Sequence, residues 1–301
     1  MSTERTVAGL RAAVAEARES AHGVALVPTM GFLHEGHLSL MGRARSECSF
    51  VVASLFVNPA QFVPGEDFES YPRDERRDAA LAAETGVDLL FAPPPAEVYP
   101  EGFATAVEVE GLTDVLCGAP GSRGRAHFRG VATVVTKLLN MCSPDVAYFG
   151  QKDYQQSLVI RRVVRDLDIP VRIEVCPTVR EPDGLALSSR NAYLTPAERE
   201  RAPALWRGLR AAERAAAAGI GRDAVTAAAH AELAAAGIEP EYLEVLNAAD
   251  LSAPSWEPAE RIVVAVAAQV GRARLIDNIV ISLPAPDRPD SARSPEPAVA
   301  G

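Results

Sequence analysis

Hydrophobic residues follow two alternating patterns through the first 180 residues of the chain. Short, continuous apolar runs rich in β-branched and aromatic residues predict buried parallel strands. The stretches between them have the 3.6-residue period of a helix. The predicted strands are GVALVPT, SFVVASLFV, VDLLFAP, DVAYFG and VRIEVCPTV, which begin at residues 23, 49, 87, 145 and 171. This alternation predicts an α/β fold with a Rossmann-like, doubly wound parallel sheet.

Two stretches of this half have a less regular pattern. The first 20 residues predict an amphipathic helix with Ser2 or Thr3 as its N-terminal cap. The Gly- and Arg-rich stretch GAPGSRGRAHFRG, residues 118–130, predicts a loop before the helix VATVVTKLLNMC.

The pattern changes beyond residue 180. Two Ala-rich helices are predicted over 195–219 and 222–237, the first with Pro196 at its first position. Three strands follow, PEYLEVLN, RIVVAVAAQV and ARLIDNIVISL. We therefore predict a Rossmann-like domain over 1–178 and a smaller α+β C-terminal domain over 179–283. The remaining residues, 284–301, are rich in Pro, Ser and Ala without an apolar face, which predicts a disordered tail.

Composition and charge narrow the classes of function. Of the 301 residues, 48% are hydrophobic and 23% charged, as in an ordinary globular protein, and no apolar run approaches a membrane span. The N-terminus lacks a signal-peptide core, so we expect a cytoplasmic protein without a membrane partner. The net charge of −10 argues against nucleic acid as a partner but permits a local basic pocket for small anions. The four scattered cysteines predict reduced thiols.

The stretch MGFLHEGHLSL, residues 30–40, is the first candidate site. His34 and His37 lie three residues apart where the first strand gives way to a helix, so both face the same way. A helix N-terminus at the carboxyl edge of a sheet binds anions, and Gly36 leaves room for a nucleotide. A metal site would need a third ligand, which is not near in sequence, and two polar rings beside Glu35 make a poor core. From these residues alone, nucleotide, metal and packing interpretations all stay open.

Three further segments follow strands at the same predicted edge. FVNPAQF contributes two amides, YFGQKDYQQ contributes a cation, a carboxylate and an amide, and DGLALSSRN contributes two hydroxyls and a guanidinium. Each segment alone is better explained as a turn, a solvated ion pair or a capped loop. Together they place donors suited to phosphate and carboxylate oxygens on one edge, and they add no fixed acid for hydrolysis.

Five motifs resemble those of one enzyme family, in its order and at its spacing: PTMGFLHEGHLSL, FVNPAQF, HFRGVATVVTKL, FGQKDYQQ and PTVREPDGLALSSRN. They are similar to the pantothenate synthetase (pantoate–β-alanine ligase) family of the H-x-G-H nucleotidyltransferase group. The resemblance covers residues 20–195 closely and extends loosely to 283. It implies a ligase that condenses pantoate with β-alanine, using ATP, to pantothenate, AMP and pyrophosphate through a pantoyl-adenylate. It also implies a homodimer and histidines that bind ATP phosphates rather than a metal. Mg²⁺ is expected with the ATP, and its ligands are unknown.

The resemblance assigns roles to individual residues. His37 is the implied proton donor and acts with His34 and Lys152 in catalysis. Gln61 and Gln156 bind pantoate with Asn58 beside them, and Gln61 also places β-alanine. The residues implied to bind ATP are Met30, Gly31, Phe32, Leu33, His34, Glu35, Gly36, His37, Gly150, Gln151, Lys152, Asp153, Val179 through its backbone, Leu187, Ser188, Ser189 and Arg190. Two mild departures are Leu187, where some members have Met, and Gln151, where many have Glu.

Other functions remain alternatives. A plain nucleotidyltransferase would keep the AMP in its product, and a nucleotide sensor would tolerate loss of the cation and the histidines. An aminoacyl-tRNA synthetase shares the H-x-G-H motif, but this acidic chain shows no tRNA-binding surface. An acyl-adenylate must be shielded from water, so we expect residues 64–72 or 118–130 to cover the site.

Overall fold

The computed structural model describes residues 1–20, 23–63, 65–66, 68–219 and 221–284. The predicted disordered tail falls, from residue 285 onward, outside the described residues. No helix of the described part of the chain is long and apolar enough to cross a membrane.

A six-stranded parallel sheet forms the first half of the fold, in the order β1-β4-β3-β2-β5-β6. Its strands are β1 Ser2–Glu4, β2 Val24–Thr29, β3 Phe50–Leu55, β4 Leu89–Phe91, β5 Val146–Gly150 and β6 Arg172–Cys176. The helices between them are α1 Val7–Arg18, α2 Glu35–Glu47, α3 Glu75–Glu84, α4 Pro95–Val98, α5 Gly124–Cys142 and α6 Tyr154–Asp166. One buried cluster joins one face of the sheet to α1, α5 and α6, and another joins the opposite face to α2 and α3. The predicted doubly wound sheet is confirmed.

A three-stranded antiparallel sheet forms the second half. It consists of β7 Pro240–Asn247, β8 Arg261–Val270 and β9 Ala273–Ser282. The helices before it are α7 Pro196–Arg201, α8 Ala204–Ala217 and α9 Arg222–Ala235. Alternate residues of β8 pack on α8 and α9 or on α5 and α6, which explains its unbroken apolar sequence. The smaller α+β unit is confirmed, whereas the domain boundary at residue 178 stays a prediction.

Three local predictions were wrong. Ser2 and Thr3 do not cap a helix, because they pair with Leu89 and Leu90 in a parallel edge strand, and Thr6 caps α1 instead. Residues 124–130 are not a loop but the first two turns of α5, since His127 and Phe128 are buried there. The helix predicted over 195–219 is two helices. Pro203, which lacks an N–H and clashes with the preceding turn, separates them.

Candidate functional site

A pocket lies at the carboxyl edge of the parallel sheet, between β2 and β5, where the strand order reverses. Ligands of doubly wound folds bind at this position, because loops from neighbouring strands diverge there. The pocket walls come from the segments that follow β2, β3, β5 and β6, and from the buried face of α5. All four predicted site segments therefore meet in one place.

Most of the predicted site residues line this pocket. These are Met30, His34, Gly36, His37, Asn58, Gln61, Gly150, Lys152, Asp153, Gln156, Val179, Leu187, Ser188, Ser189 and Arg190. Five others do not. Leu33 is buried in the core, Gly31 faces a neighbouring cavity and Glu35 is exposed. Phe32 lies against Arg77, and Gln151 faces Asn278.

The two histidines form a stacked pair at the start of α2, with ring centroids 4.1 Å apart. His34 is the N-cap, and its Nδ1 accepts the N–H of Gly36 at 3.1 Å. Nδ1 of His37 faces the N–H of His34 at 3.4 Å. Because both Nδ1 atoms accept, each neutral ring carries its proton on Nε2.

Burial keeps both rings neutral. Burial, and then the charge of nearby Lys152, lower the pKa of His34 to about 4. Burial also lowers the pKa of His37 well below its usual value, with contributions from His34 and Lys152. Each ring is therefore an uncharged Nε2–H donor at neutral pH.

Gly36 is required by the capping ring itself. A Cβ built at Gly36 would lie 2.9 Å from Cε1 of His34. The glycine thus lets His34 fold back over its own helix N-terminus, a reason that the sequence pattern did not indicate.

The side chain of Asn58 makes all of its hydrogen bonds to other groups of the protein. Its Nδ2 donates to Oε1 of Gln61 at 3.0 Å and to the carbonyl oxygen of Gly130 at 3.1 Å. Its Oδ1 accepts from the hydroxyl of Tyr99 at 2.7 Å and from the N–H of Ala60 at 3.3 Å. These four bonds use every donor and acceptor position of a carboxamide. Asn58 therefore orients Gln61 and has no remaining hydrogen bond for a substrate.

α5 packs against the 3₁₀ turn Pro59–Gln61, which carries Gln61. A Cβ on Gly130 would lie 2.1 Å from the carbonyl oxygen of Ala60 and 2.6 Å from Cα of Gln61, so only glycine allows this approach. The distance from Nδ1 of His127 to the carbonyl oxygen of Gln61 is 2.7 Å. Burial, then the charge of Arg123, lowers the pKa of His127 to about 3. Gly130 and His127 are site-building residues that were not assigned from sequence, although both lie in the motif HFRG.

Lys152 lies on a 3₁₀ turn, Gln151–Asp153, that follows β5. Asn278 of β9 donates from Nδ2 to the carbonyl oxygens of Gln151 and Lys152, both at 2.9 Å. Next to Asn278, Asp277 pairs with Arg180 through two bonds of 2.6 and 2.9 Å. The three-stranded sheet thus holds the turn that carries the lysine.

The pocket is cationic within an acidic chain. Lys152, Arg123 and Arg190 line it, and Asp153 is the one carboxylate among its described lining residues. Nε of Arg123 lies 2.6 Å from Glu66, and both side chains are 16% exposed. This ion pair joins the two segments expected to cover the site. A triphosphate would find complementary charge here.

The described residues hold no cluster of three or more His, Cys, Asp or Glu side chains with metal-binding geometry. The four cysteines are free, in agreement with the predicted reduced thiols, and all four are buried.

A family model, Pantoate-beta-alanine ligase, matches residues 2–280. The chain belongs to this family. It is therefore a ligase that joins pantoate to β-alanine in pantothenate biosynthesis. Among named members, pantothenate synthetase of Moorella thermoacetica is 52% identical over 287 residues, or 94% of this chain and 99% of the relative. The enzyme of Paramagnetospirillum magneticum is 55% identical over 278 residues, covering 91% and 96%.

Solved structures of pantoate–β-alanine ligases share the fold. The crystal structure of the Thermus thermophilus pantothenate synthetase has a TM-score of 0.86 at 52% identity, covering 93% of this chain and 99% of that one. The Francisella tularensis ligase has a TM-score of 0.75 at 34% identity, covering 93% and 97%. That ligase was crystallised in complex with beta-gamma ATP and β-alanine.

Proposed function

We propose that this ligase forms pantothenate in two steps through a pantoyl-adenylate, with both steps in the pocket described above. The observation that carries the proposal is the convergence of neutral Nε2–H donors, three cations and two hydroxyls on one pocket, whose described lining residues include a single carboxylate. In the first step a carboxylate oxygen of pantoate bonds to the α-phosphorus of ATP, and pyrophosphate leaves. In the second the uncharged amine of β-alanine attacks the acyl carbon, and AMP and one proton leave.

The first step brings one anion to another, so the protein acts by positioning and charge stabilisation. We assign His34, His37, Lys152 and Arg190 to the triphosphate, with Ser188 and Ser189 as hydroxyl donors. The remaining ATP contacts are those that the family motifs imply. Phe32, Leu33 and Gln151 are included only because the resemblance implies them, since none of the three lines the pocket.

His37 acts as a hydrogen-bond donor before it acts as an acid. Its ring is neutral in the protein alone, because burial, His34 and Lys152 lower its pKa. A bound triphosphate adds negative charge beside the ring and opposes that effect. We infer that His37 donates from Nε2 to a phosphate oxygen, and that this oxygen becomes a stronger acceptor as pyrophosphate forms.

Pantoate and β-alanine are assigned to the α5 side of the pocket. Gln61 and Gln156 provide amides for the hydroxyl and carboxylate oxygens of pantoate, and Gln61 also places β-alanine. Asn58 contributes by fixing Gln61, since its own amide is fully bonded.

The pocket fits a Mg²⁺ that arrives with the nucleotide. Mg²⁺ in such sites is held by substrate phosphates, waters and one or two carboxylates. Asp153, which is half-exposed beside Lys152, is the described carboxylate placed to contribute. When bound, the ion would supply charge neutralisation at the phosphates. The homodimer implied by the resemblance stays a prediction.

The decisive experiment supplies ATP, pantoate and β-alanine and identifies every product. We expect AMP, pyrophosphate and pantothenate in equal amounts. ADP with inorganic phosphate would establish an acyl-phosphate route instead. A product that retains AMP would establish a plain nucleotidyltransferase.

A further inference from the structure

A tight turn between β2 and α2 carries the histidine pair into the pocket. Gly31 has a φ of 88° and Phe32 a φ of 50°, so two successive residues adopt the left-handed region. Phe32 lacks the conformational freedom of glycine, and its surroundings must hold it there. His34 follows two residues later as the cap of α2. The conformation of this turn therefore decides where His34 and His37 lie.

Asp78, in the first turn of α3, holds this turn from outside the pocket. Its Oδ2 accepts the N–H of Phe32 and its Oδ1 accepts the N–H of Leu33, each at 2.7 Å. Asp78 is 1% exposed, and it is not among the described residues that line the pocket. Charge-assisted bonds of this length are among the stronger hydrogen bonds in proteins. One carboxylate thus fixes two consecutive peptide planes.

The surroundings restrict the backbone conformation of this turn. The N–H of Gly31 donates to Oγ1 of Thr29 at 3.2 Å, so three successive N–H groups bond to side chains. A Cβ on Gly31 would lie 2.9 Å from Cδ1 of Leu55 and 3.1 Å from Oδ2 of Asp78. Burial raises the pKa of Asp78, and the two N–H donors oppose that rise.

We propose that Asp78 is a positioning residue of the adenylation step, which holds the turn from Gly31 to Leu33 so that His34 and His37 meet the triphosphate. The inference rests on the proposed function. Asp78 itself touches no substrate and transfers no proton. The alternative is a purely structural role, in which Asp78 only stabilises the packing of α3 against the sheet.

The first test is D78N, which keeps the size of the side chain. The amide replaces one acceptor by an N–H₂ donor that faces a backbone N–H, so one peptide plane is released. We expect kcat to fall about 10- to 100-fold, because a displacement near 1 Å costs about that much in a positioned reaction. The KM for β-alanine should stay within about twofold. An unchanged kcat in folded D78N would overturn the proposal.

D88N is the matched control. Oδ2 of Asp88 accepts the N–H of Val51 at 2.8 Å, so it is also a carboxylate bonded to sheet backbone, but at the amino edge. We expect D88N to lower the melting temperature while kcat stays within about twofold. If both variants lost kcat in proportion to their loss of melting temperature, Asp78 would have only the structural role.

D78E provides a second test of the proposal if D78N does not fold. It retains both acceptor oxygens but adds one methylene, and position 78 borders the cavity lined by Gly31, Leu55 and Phe68. We expect a melting temperature near that of the unchanged protein with a kcat reduced at least fivefold. A normal kcat would contradict the proposal, because the position of the carboxylate would then not matter.

A measurement without catalysis separates this inference from the proposed function. The ¹⁵N signals of the imidazole rings report the tautomer of each histidine in the protein alone. We expect D78N and D78E to shift the signals of His34 and His37, and D88N to leave them unchanged. Unshifted signals would refute the positioning role even if the ligase reaction were confirmed. Shifted signals would support it even if the reaction products differed from those proposed.

Discussion

The side-chain amide of Asn278 lies 2.9 Å from the backbone carbonyl oxygen of Lys152 and the same distance from that of Gln151. Asn278 belongs to β9, which is remote in sequence from the turn that it holds. The three-stranded sheet is therefore part of the wall that fixes the lysine, and not only a neighbour of the nucleotide-binding sheet.

Replacing Asn278 by Ala should loosen this turn and leave two carbonyl oxygens without their donor. We expect kcat to fall about tenfold and the KM for ATP to rise, because a buried unpaired carbonyl costs about 1–3 kcal/mol. N247A is the control, since Asn247 of β7 also makes two hydrogen bonds, to Glu260 and Ala249, away from the pocket. Equal effects of the two variants on kcat would contradict a specific link to Lys152.

Replacing Lys152 by Ala should reduce kcat by about 100- to 1,000-fold with the fold intact, because a cation aimed at developing phosphate charge is lost. The chain offers one other lysine as a control. Lys137 lies 4.5 Å from the ring centroid of Phe103, outside the pocket, and K137A should keep a near-normal rate. A near-normal kcat in K152A would show that Lys152 only forms an ordinary surface ion pair with Asp153.

G130A should weaken pantoate binding. The added methyl group would push α5 away from the turn that carries Gln61, so we expect the KM for pantoate to rise about tenfold or more. G42A is the control, because a Cβ at that helical position meets only Cγ2 of Thr85 at 4.0 Å. G42A should be neutral or slightly stabilising, since alanine favours helix. A normal KM for pantoate in G130A would show that the helix can retreat without moving Gln61.

Three histidines with lowered pKa values, the half-buried His34 and His37 and the buried His127, should make stability depend on pH. The pKa values of His34, about 4, and His127, about 3, lie below the unfolded value, and that of His37 is also lowered. The unfolded chain therefore binds more protons as pH falls below about 6.5, and the free energy of unfolding decreases. We expect a loss of about 1.5 kcal/mol each for His34 and His127 between pH 6.5 and 5, and a further loss in the same direction from His37.

Urea unfolding at a series of pH values measures this dependence. H127Q should reduce the slope between pH 6.5 and 5, whereas H230Q, on the exposed side of α9, should leave it unchanged. Stability that does not change through this interval would contradict the lowered pKa values of these histidines.

Pyrophosphate exchange should not require the amine. With pantoate present and β-alanine absent, we expect the enzyme to incorporate labelled pyrophosphate into ATP, because the first step uses only these substrates. Exchange without pantoate would indicate a different acid substrate. Absence of exchange, in an enzyme active with all three substrates, would contradict a freely reversible adenylate step.

Features encoded in contiguous stretches were predictable. Apolar runs and helical periods within one segment predicted the core strands of the parallel sheet, because burial on both faces demands continuous apolar sequence. Four polar segments after strands predicted one site, since parallel strands end at the same edge. For the same reason, Lys152, Gln61 and the histidine pair were found without knowledge of their contacts.

Features that depend on distant partners were decided only by the tertiary structure. The edge strand at Ser2 exists because a backbone 87 residues away completes its hydrogen bonds. Asp78, Gly130 and Asn278 have ordinary residue types in ordinary helices and strands, and their importance lies in which backbone atoms they meet. By itself the sequence determined the chemistry of the pocket. Packing between remote segments determined its geometry, because no local pattern records a contact across the fold.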